Sequence, residues 1–299
     1  MGMEPESKKA KETFNPHSAA LATTTFYPRW YPGKVVGEVS VDKVRGDLAL
    51  RMIDEARSKR FQIYVVDDGS SEAFMKEVKR RNAKLETGPG GMSPGRRLSF
   101  ELASKMQDVK VIVWTEPEKV SLVRCFKSVT APILQDEADI VVPKREKSSF
   151  PTYPAAQVNF EQKGNRIFNK LLRENGLLKK EDLDFDIFFG PKAFKNDPRI
   201  LGLFLRKYRY TRKGGLDDNI DPELWPNTIV LPIIAALHEG YRVASVEIPY
   251  RHPQEQTGSE EGLLQFSKKR LMQYKNFIIT TVHYLKLLNN DPDSNLVRV

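Results

Sequence analysis

The chain has 299 residues, with 48 Lys and Arg side chains against 39 Asp and Glu, which gives a formal net charge of +9. Hydrophobic residues make up 40% and charged residues 29%, values that exclude a fibrous or wholly disordered chain. The single cysteine, Cys125, excludes an intrachain disulfide and a cysteine-based zinc site. It is predicted to be a buried residue that packs in the core. No apolar run reaches the ~18–20 residues of a transmembrane segment, and the N-terminus lacks the apolar core of a signal peptide. These features predict a cytoplasmic globular protein.

The positive charge favours a polyanionic partner, which would be nucleic acid, an anionic membrane or a phosphorylated small molecule. The basic residues are spread along the chain and do not form blocks of about five or six. This spread disfavours nucleic acid as the partner.

Strands and helices are predicted to alternate from residue 19 onwards. Residues 1–18 are polar and aperiodic, which predicts a disordered tail, and residues 19–299 predict one domain. Apolar and β-branched runs predict strands at 19–27, 61–66, 109–114, 138–142, 185–189 and 241–248. Helical spacing predicts helices at 44–57, 72–81, 98–106, 122–134, 160–175, 229–239 and 260–289. The order predicts an α/β protein with a mostly parallel sheet flanked by helices, ending in a long amphipathic helix whose apolar stripe favours core over membrane.

Two adjacent acids end the second predicted strand, in Val65-Val66-Asp67-Asp68-Gly69-Ser70. Ligands of open α/β sheets bind beyond the carboxyl ends of the strands, where Asp67 or Asp68 would accept hydrogen bonds from a base or ribose. The alternative is an ordinary strand-end turn, with Ser70 or Ser71 as the N-cap of the next helix.

A glycine-rich turn with two arginines precedes the third predicted helix. Gly91 and its neighbouring glycines permit close backbone approach, and the following helix N-terminus favours an anion. Arg96 and Arg97 are suited to neutralise a diphosphate. The turn is neither a Walker loop nor a dinucleotide fingerprint. Its alternative interpretation is a surface loop with solvated arginines.

The VVDDGS stretch resembles the motif that ends the second strand of nucleotide-sugar glycosyltransferases with the GT-A fold, of a family-2-like type. Residues 22–27, 91–97 and 111–118 fall where that family has its first strand, its glycine-rich turn and its metal-binding strand end. The resemblance covers about residues 19–255. It implies a GT-A-type Rossmann-like fold and the transfer of a sugar from a nucleotide-diphosphate donor to a small-molecule or glycan acceptor. It also implies nucleotide contacts for Thr25 and Tyr27 at the end of the first strand.

The resemblance further implies a Mn²⁺ or Mg²⁺ ion, held in that family by an Asp-x-Asp pair. This chain departs from the pattern, with Glu116 and Glu118 at acid-x-acid spacing in Thr115-Glu116-Pro117-Glu118. Glutamate oxygens suit a hard divalent ion, so the pair is predicted to replace the aspartates. In the other register Thr115 and Pro117 hold the Asp positions, and in the simplest alternative the glutamates are exposed on a turn.

His252 follows the last predicted strand, where some retaining members of that family place a histidine ligand beside a basic residue. We therefore expect His252 to join Glu116 and Glu118 at the metal, and Arg251 to approach the diphosphate. The alternative is a surface histidine in a proline-rich turn. Lys43, Arg45 and Asp47 are weaker candidates for nucleotide contact, because helix starts are often charged.

An acidic, glycine-flanked segment after residue 213 resembles the family's acceptor loop. An inverting transfer needs a carboxylate to take the acceptor proton, and the candidates are Asp217, Asp218, Asp221 and Glu223. Asp221 alternatively caps a helix ahead of Pro222. Two other functions stay open: a sugar-phosphate nucleotidyltransferase, and a GT-A-like binding module that has lost catalysis. The first is disfavoured because the glycine-rich arginine loop follows the second strand here and the first strand in those enzymes.

Overall fold

A computed structural model describes residues 15–35, 40–208, 223–260 and 264–290. Its seven-stranded sheet contains Ala19–Thr25 (β1), Gln62–Asp67 (β2), Lys84–Thr87 (β3), Val111–Trp114 (β4), Ile140–Arg145 (β5), Lys192–Lys195 (β6) and Val243–Ile248 (β7). The helices are Val41–Ser58 (α1), Glu72–Arg80 (α2), Met92–Ser104 (α3), Phe126–Leu134 (α4), Ala155–Glu174 (α5), Pro198–Leu205 (α6), Pro226–Ile229 (α7), Leu231–His238 (α8), Gln254–Glu260 (α9) and Leu264–Asn290 (α10). Among these helices, none combines the length and the apolar character that crossing a membrane requires.

The sheet has the strand order β3-β2-β1-β4-β6-β5-β7. The first four of these strands are parallel, β6 runs antiparallel between β4 and β5, and β7 is parallel to β5. Thr25 pairs with Asp67 in register, so β1 and β2 end together, and β4 ends on the other side of β1. The carboxyl ends of β1, β2 and β4 therefore share one edge of the sheet, which is where ligands of such sheets bind.

Both faces of the sheet are covered, which explains why the central strands are apolar throughout. Along β1, Ala20 and Ala22 face one core cluster, while Ala19 and Leu21 face the other. In the first cluster Phe194 stacks on Phe204 with ring centroids 4.0 Å apart. The sheet is therefore the middle layer between two apolar cores.

The predicted strand at 185–189 is wrong, because Ile187–Phe189 forms a 3-10 turn. Side chains of α5 bind the backbone that a neighbouring strand would have paired. The Asn169 amide accepts the Phe185 N–H at 2.8 Å and donates to the Phe185 carbonyl at 2.9 Å. Asn165 accepts the Phe188 N–H at 3.1 Å. The strand of this region is instead β6, which follows Gly190.

Several predicted boundaries also shift. Helix α3 begins at Met92 rather than at residue 98, because Gly91 caps it and Pro94 lies in the first turn, where no N–H partner is needed. Residues 16–18, placed in the predicted tail, form a 3-10 turn that leads into β1. Strand β3 and helices α6 and α9 were not predicted, being short elements with weak periodicity.

Candidate active site

A cleft of about 430 Å³ opens at the shared carboxyl edge of β1, β2 and β4. It is lined by residues from those three strand ends, the start of α3 and one side chain of α1: Thr24, Thr25, Phe26, Tyr27, Arg45, Asp68, Gly91, Met92, Arg96, Trp114, Glu116, Pro117 and Glu118. The structure thus brings together seven of the predicted site residues, namely Thr25, Tyr27, Asp68, Gly91, Arg96, Glu116 and Glu118. It also brings in Arg45.

The first of the two adjacent acids holds the end of β2 together. Asp67 is 2% exposed and accepts hydrogen bonds from Thr25 Oγ1 at 2.6 Å and from the N–H groups of Gly69 and Ser70 at 3.0 and 2.8 Å. These contacts join the ends of β1 and β2 and shape the turn that follows. Asp67 is not among the residues that line the cleft.

The second acid, Asp68, faces the cleft. Its carboxylate accepts the Gly90 N–H at 3.1 Å, and burial raises its pKa although that hydrogen bond opposes the shift. A Cβ on Gly88 would overlap the Asp68 carboxylate, and one on Gly95 would lie 2.8 Å from it. The glycine-rich turn therefore forms a cradle for Asp68, which leaves the rest of its carboxylate available to a ligand.

Two large apolar side chains face the cleft without being covered. Phe26 is 60% exposed and Met92 is 45% exposed. The Phe26 ring lies over Gly69, where an added Cβ would stand 3.6 Å from it. Neither residue was predicted as a site residue. The signal for Phe26 is an aromatic residue just after a strand end, whereas Met92 was missed because the helix was placed six residues too late.

Arg96 crosses the cleft beside the end of β4. Its guanidinium carbon lies 4.5 Å from the Trp114 ring centroid, and it donates to the Trp225 carbonyl and to Thr228 Oγ1, both at 3.3 Å. Burial lowers its pKa to about 10, with Glu116 opposing the shift. Arg96 therefore stays cationic at neutral pH and is fixed in orientation.

Arg97 points the other way, into the joint between α3 and α7. Its guanidinium donates to Asn227 Oδ1 at 2.9 Å and to Glu223 Oε2 at 3.4 Å. It does not line the cleft. Glu223, one of the predicted bases, is thereby paired with Arg97. The other three, Asp217, Asp218 and Asp221, lie outside the described residues.

Glu118 is 3% exposed and is engaged by two neighbours. Tyr27 donates its hydroxyl hydrogen to Glu118 Oε1 at 2.8 Å, and Arg45 Nε forms an ion pair with the same oxygen at 2.6 Å. Burial alone would raise the pKa of Glu118, but the Arg45 charge and the Tyr27 hydrogen bond outweigh it and hold the pKa below its usual value. Nearby, Lys43 pairs with Asp47 within α1 and neither lines the cleft.

Glu116 is different, because its buried Oε2 has no hydrogen-bond partner among the described residues. The nearest paired cation is Lys119, whose Nζ lies 3.8 Å from Oε2. Behind it, the fully buried Lys192 donates to the Gly190 and Pro191 carbonyls. Burial lowers the pKa of Lys192 to about 7, while the Glu116 charge opposes the shift. A carboxylate oxygen that lines a cleft and accepts no hydrogen bond suits a hard divalent cation.

The structure does not bring His252 or Arg251 to the cleft lining. The His252 ring stacks on Tyr153 with centroids 4.3 Å apart. Burial, with Lys119, Arg270 and Arg145 nearby, lowers the pKa of His252 to about 3. Arg251 is exposed, and its backbone N–H donates to Ser121 Oγ at 3.1 Å. Within the described ranges, no three His, Cys, Asp or Glu side chains are grouped so as to hold a metal ion.

No family model and no curated protein matches the sequence. Among solved structures, the chain is similar to glucosyl-3-phosphoglycerate synthase from Mycobacterium tuberculosis. The complex with Mn²⁺, UDP and glucosyl-3-phosphoglycerate has a TM-score of 0.54 at 9% identity, over 89% of this chain and 80% of that one. The complex with Mn²⁺ and UDP-glucose has a TM-score of 0.55 at 10% identity, over 89% and 79%.

A third structure of that enzyme, with Mg²⁺ and UDP, has a TM-score of 0.50 at 10% identity, over 89% of this chain and 79% of that one. The similarity supports the predicted GT-A fold. At sequence identities this low, the similarity is evidence for the fold alone. The chain has the GT-A-type fold of nucleotide-sugar glycosyltransferases, with its cleft at the carboxyl edge of β1, β2 and β4.

Proposed function

We propose that this chain transfers a sugar from a nucleotide-diphosphate donor to a small-molecule or glycan acceptor. The observation that carries the proposal is the content of the cleft. An exposed aromatic ring, a cradled carboxylate, a fixed arginine and a carboxylate oxygen that accepts no hydrogen bond meet there, contributed by Phe26, Asp68, Arg96 and Glu116. A nucleotide-sugar presents a flat base, hydrogen-bond donors, a diphosphate and its counter-ion, so these groups match it part by part.

The base and ribose would occupy the side of the cleft near β2. Phe26 and Met92 offer apolar surface to a base, and aromatic side chains favour such stacking. Asp68 has a carboxylate oxygen left over for an N–H of the base or a ribose hydroxyl, since only the Gly90 N–H binds it among the described residues. Thr25 and Tyr27 form the adjoining wall.

The diphosphate would lie toward β4. Arg96 is held by Trp114, Trp225 and Thr228, so little side-chain entropy is lost when it binds an anion. Arg45 adds a second positive charge at the same wall, although it also pairs with Glu118. Both arginines would stabilise the negative charge that develops on the leaving diphosphate.

A divalent cation fits this site at Glu116, whose buried Oε2 accepts no hydrogen bond among the described residues and lies 3.8 Å from Lys119 Nζ. The similar structures were solved with Mn²⁺ or Mg²⁺ together with UDP, which supports the same choice of ion here. When bound, such an ion neutralises the diphosphate and stabilises its departure. Glu118 would contribute through the same wall of the cleft, after loosening its pairing with Arg45. His252 would have to leave its stacking on Tyr153 to join them.

Acceptance of the proton from the acceptor is assigned to the acidic segment after β6 and α6. Asp217, Asp218 and Asp221 are proposed ahead of Glu223, because Glu223 is already paired with Arg97. The proposed compartment is the cytoplasm, for which the single cysteine is the support.

The test is a panel of nucleoside diphosphates and nucleotide-sugars, measured by thermal shift with and without Mn²⁺, followed by analysis of donor consumption. We expect the nucleoside diphosphate of one base to stabilise the protein. The nucleotide-sugar with the same base should be consumed when an acceptor is added. Asp54→Asn, an exposed change on α1, serves as the matched control for Asp68→Asn.

Three outcomes would contradict the proposal. If no nucleoside diphosphate raises the melting temperature, the cleft does not bind the proposed donor. Consumption of a nucleoside triphosphate and a sugar phosphate with release of pyrophosphate would identify a nucleotidyltransferase. Binding of the donor with no turnover, across a wide acceptor screen, would identify a binding module.

A further inference from the structure

Helix α10 has an inner face that belongs to the core. Phe277, Thr281, Tyr284 and Leu285 are all buried there. The Phe277 ring lies 4.6 Å from that of Phe188, centroid to centroid, at an angle of 62°. These contacts fix the rotation of the helix about its own axis, so its outer face is fixed as well.

The outer face carries a line of exposed side chains, the α10 stripe: Lys268, Met272, Lys275, Ile279 and Lys286. Residues spaced by three, four and seven positions lie along one side of a helix, here over about 27 Å. Met272 is 62% exposed and Ile279 is 52% exposed, and Leu271 beside them is 46% exposed. The stripe therefore alternates basic and large apolar side chains that all face outward.

The charge of α10 has one sign. Its 27 residues include Lys268, Lys269, Arg270, Lys275 and Lys286, and no Asp or Glu. In the described part of the chain, no ion pair engages the three stripe lysines. Helix α5 shows the ordinary arrangement, with Lys170 paired to Glu174 one turn away. Exposed lysines that lack acids within their own helix present their full charge to a partner.

We propose that the α10 stripe docks on the surface of an anionic membrane. Lysine chains reach acidic lipid headgroups while Met272, Ile279 and Leu271 enter the boundary of the acyl region, which is how amphipathic helices lie on bilayers. A second copy of the chain fits less well, because pairing two stripes places lysines against lysines. Nucleic acid would use the lysines and leave the apolar side chains in water.

The experiment is flotation of the full chain with phosphatidylcholine vesicles, with and without phosphatidylglycerol. Binding is expected only to the anionic vesicles and should weaken with added salt. Replacing Lys268, Lys275 and Lys286 together by Gln should reduce partitioning roughly a hundredfold, since each lysine near an anionic surface gives about a fivefold effect. Met272→Ser with Ile279→Ser should also release the protein, which charge attraction alone does not predict.

Matched controls come from other exposed positions. Lys76→Gln and Lys79→Gln on α2 remove the same type of charge, and Leu183→Ser changes a side chain that is 59% exposed. All variants change exposed residues, and unchanged melting temperatures will show that they fold. Because no donor is present, the result is independent of the proposed sugar transfer.

The proposal is overturned if the protein does not float with anionic vesicles, or if the controls release it as much as the stripe variants. It is also overturned if Met272→Ser with Ile279→Ser abolishes a concentration-dependent dimer, which would assign the stripe to a second copy. Loss of double-stranded DNA binding without any vesicle effect would assign it to nucleic acid.

Discussion

The two adjacent acids at the end of β2 have different roles, because their side chains point in different directions. Asp67 is buried under three hydrogen bonds within the protein, while Asp68 faces the cleft. Asp67→Ala should therefore lower the free energy of unfolding by about 2–3 kcal/mol, because two N–H groups and a hydroxyl lose their acceptor. Urea denaturation measures this loss. A variant as stable as the wild type would show that the strand-end turn does not need Asp67.

Asp68→Asn should behave in the opposite way. The amide oxygen can still accept the Gly90 N–H, so the melting temperature should hardly change. Binding of the nucleoside diphosphate should weaken at least about tenfold, since a hydrogen bond to a charged group contributes about 1.5–3 kcal/mol. Isothermal titration calorimetry checks the affinity. Equal affinities for the two proteins would place the base elsewhere.

The Glu118–Arg45 ion pair makes a prediction about acid. The pKa of Glu118 is lower in the folded protein than its ordinary value of 4.5. A carboxyl group whose pKa is lowered by folding increases the free energy of unfolding. This contribution is fully present at pH values above the pKa of the unfolded state, and it is lost as the pH falls through the pKa of the folded state. The difference in unfolding free energy between wild type and Glu118→Gln should thus be constant near neutrality and shrink below about pH 4.5. A difference that does not vary with pH would exclude this pair as the cause.

At the scale of elements, the Asn227 amide is one of the side chains that join α3 and α7. Asn227 accepts from Arg97 at 2.9 Å and from the Tyr208 N–H at 3.1 Å, and it donates to the Tyr208 carbonyl at 2.8 Å. All of these groups are buried. Because α3 also supplies Met92 and Arg96 to the cleft, this joint connects folding with the shape of the site.

Asn227→Ala should lower the free energy of unfolding by about 2–4 kcal/mol, because it leaves buried polar groups unpaired. Asn227→Asp should cost less, since its carboxylate can still accept from Arg97 and from the Tyr208 N–H and gains an ion pair with Arg97. Chemical denaturation of the two variants checks the order. If Asn227→Asp is the more damaging change, donation to the Tyr208 carbonyl is the main contact.

The same elements show what the sequence was able to predict. Strands β1, β2 and β4 are apolar because both sheet faces are covered, so their existence and their positions along the chain were recognisable. The 3-10 turn at 187–189 was not, because its backbone partners are side chains of α5 that come some twenty residues earlier. The periodicity of residues 185–189 does not depend on a contact with residues so far away in the sequence, so it cannot reveal one.

The residues of the candidate site were likewise predicted only in part. Asp68, Arg96 and Glu116 were predicted and line the cleft, while their neighbours Asp67 and Arg97 were predicted and point elsewhere. Two residues of one type in succession differ only in the direction of their side chains, which the register of the strand or helix decides. Phe26 and Met92 needed the structure, because exposure of an apolar residue is not visible in composition.

At the scale of the whole molecule, the described residues place basic side chains of this positively charged chain in two different settings. In the cleft, Arg96 and Arg45 are fixed by neighbours and face a small volume, which suits one phosphorylated ligand. On α10, the stripe lysines are exposed and extended, which suits a surface. Basic residues that are spread along the sequence are therefore suited to two different kinds of anionic partner once the chain is folded.

The metal ion tests the cleft as a whole, since it needs both the protein and the donor. With ligand at a hundredfold excess over Kd, binding stabilises the folded protein by about 2.7 kcal/mol. Glu116→Gln should remove the part of this stabilisation that depends on Mn²⁺, and it should lower the melting temperature of the free protein less than Glu118→Gln does. The reason is that Glu116 Oε2 accepts no hydrogen bond in the described residues, and its ion pair with Lys119, at 3.8 Å, is longer than the 2.6 Å pair of Glu118 with Arg45.

Two further variants make this result specific. Glu118→Gln should lower the melting temperature of the free protein, because it breaks a buried ion pair, and Glu101→Gln on the exposed side of α3 should change nothing. Differential scanning fluorimetry with UDP-sugar, with Mn²⁺ or with EDTA, separates the three. If EDTA has no effect on the wild type, or if Glu116→Gln keeps its response to Mn²⁺, the site at Glu116 is wrong. Arg96 and Arg45 would then have to neutralise the diphosphate by themselves.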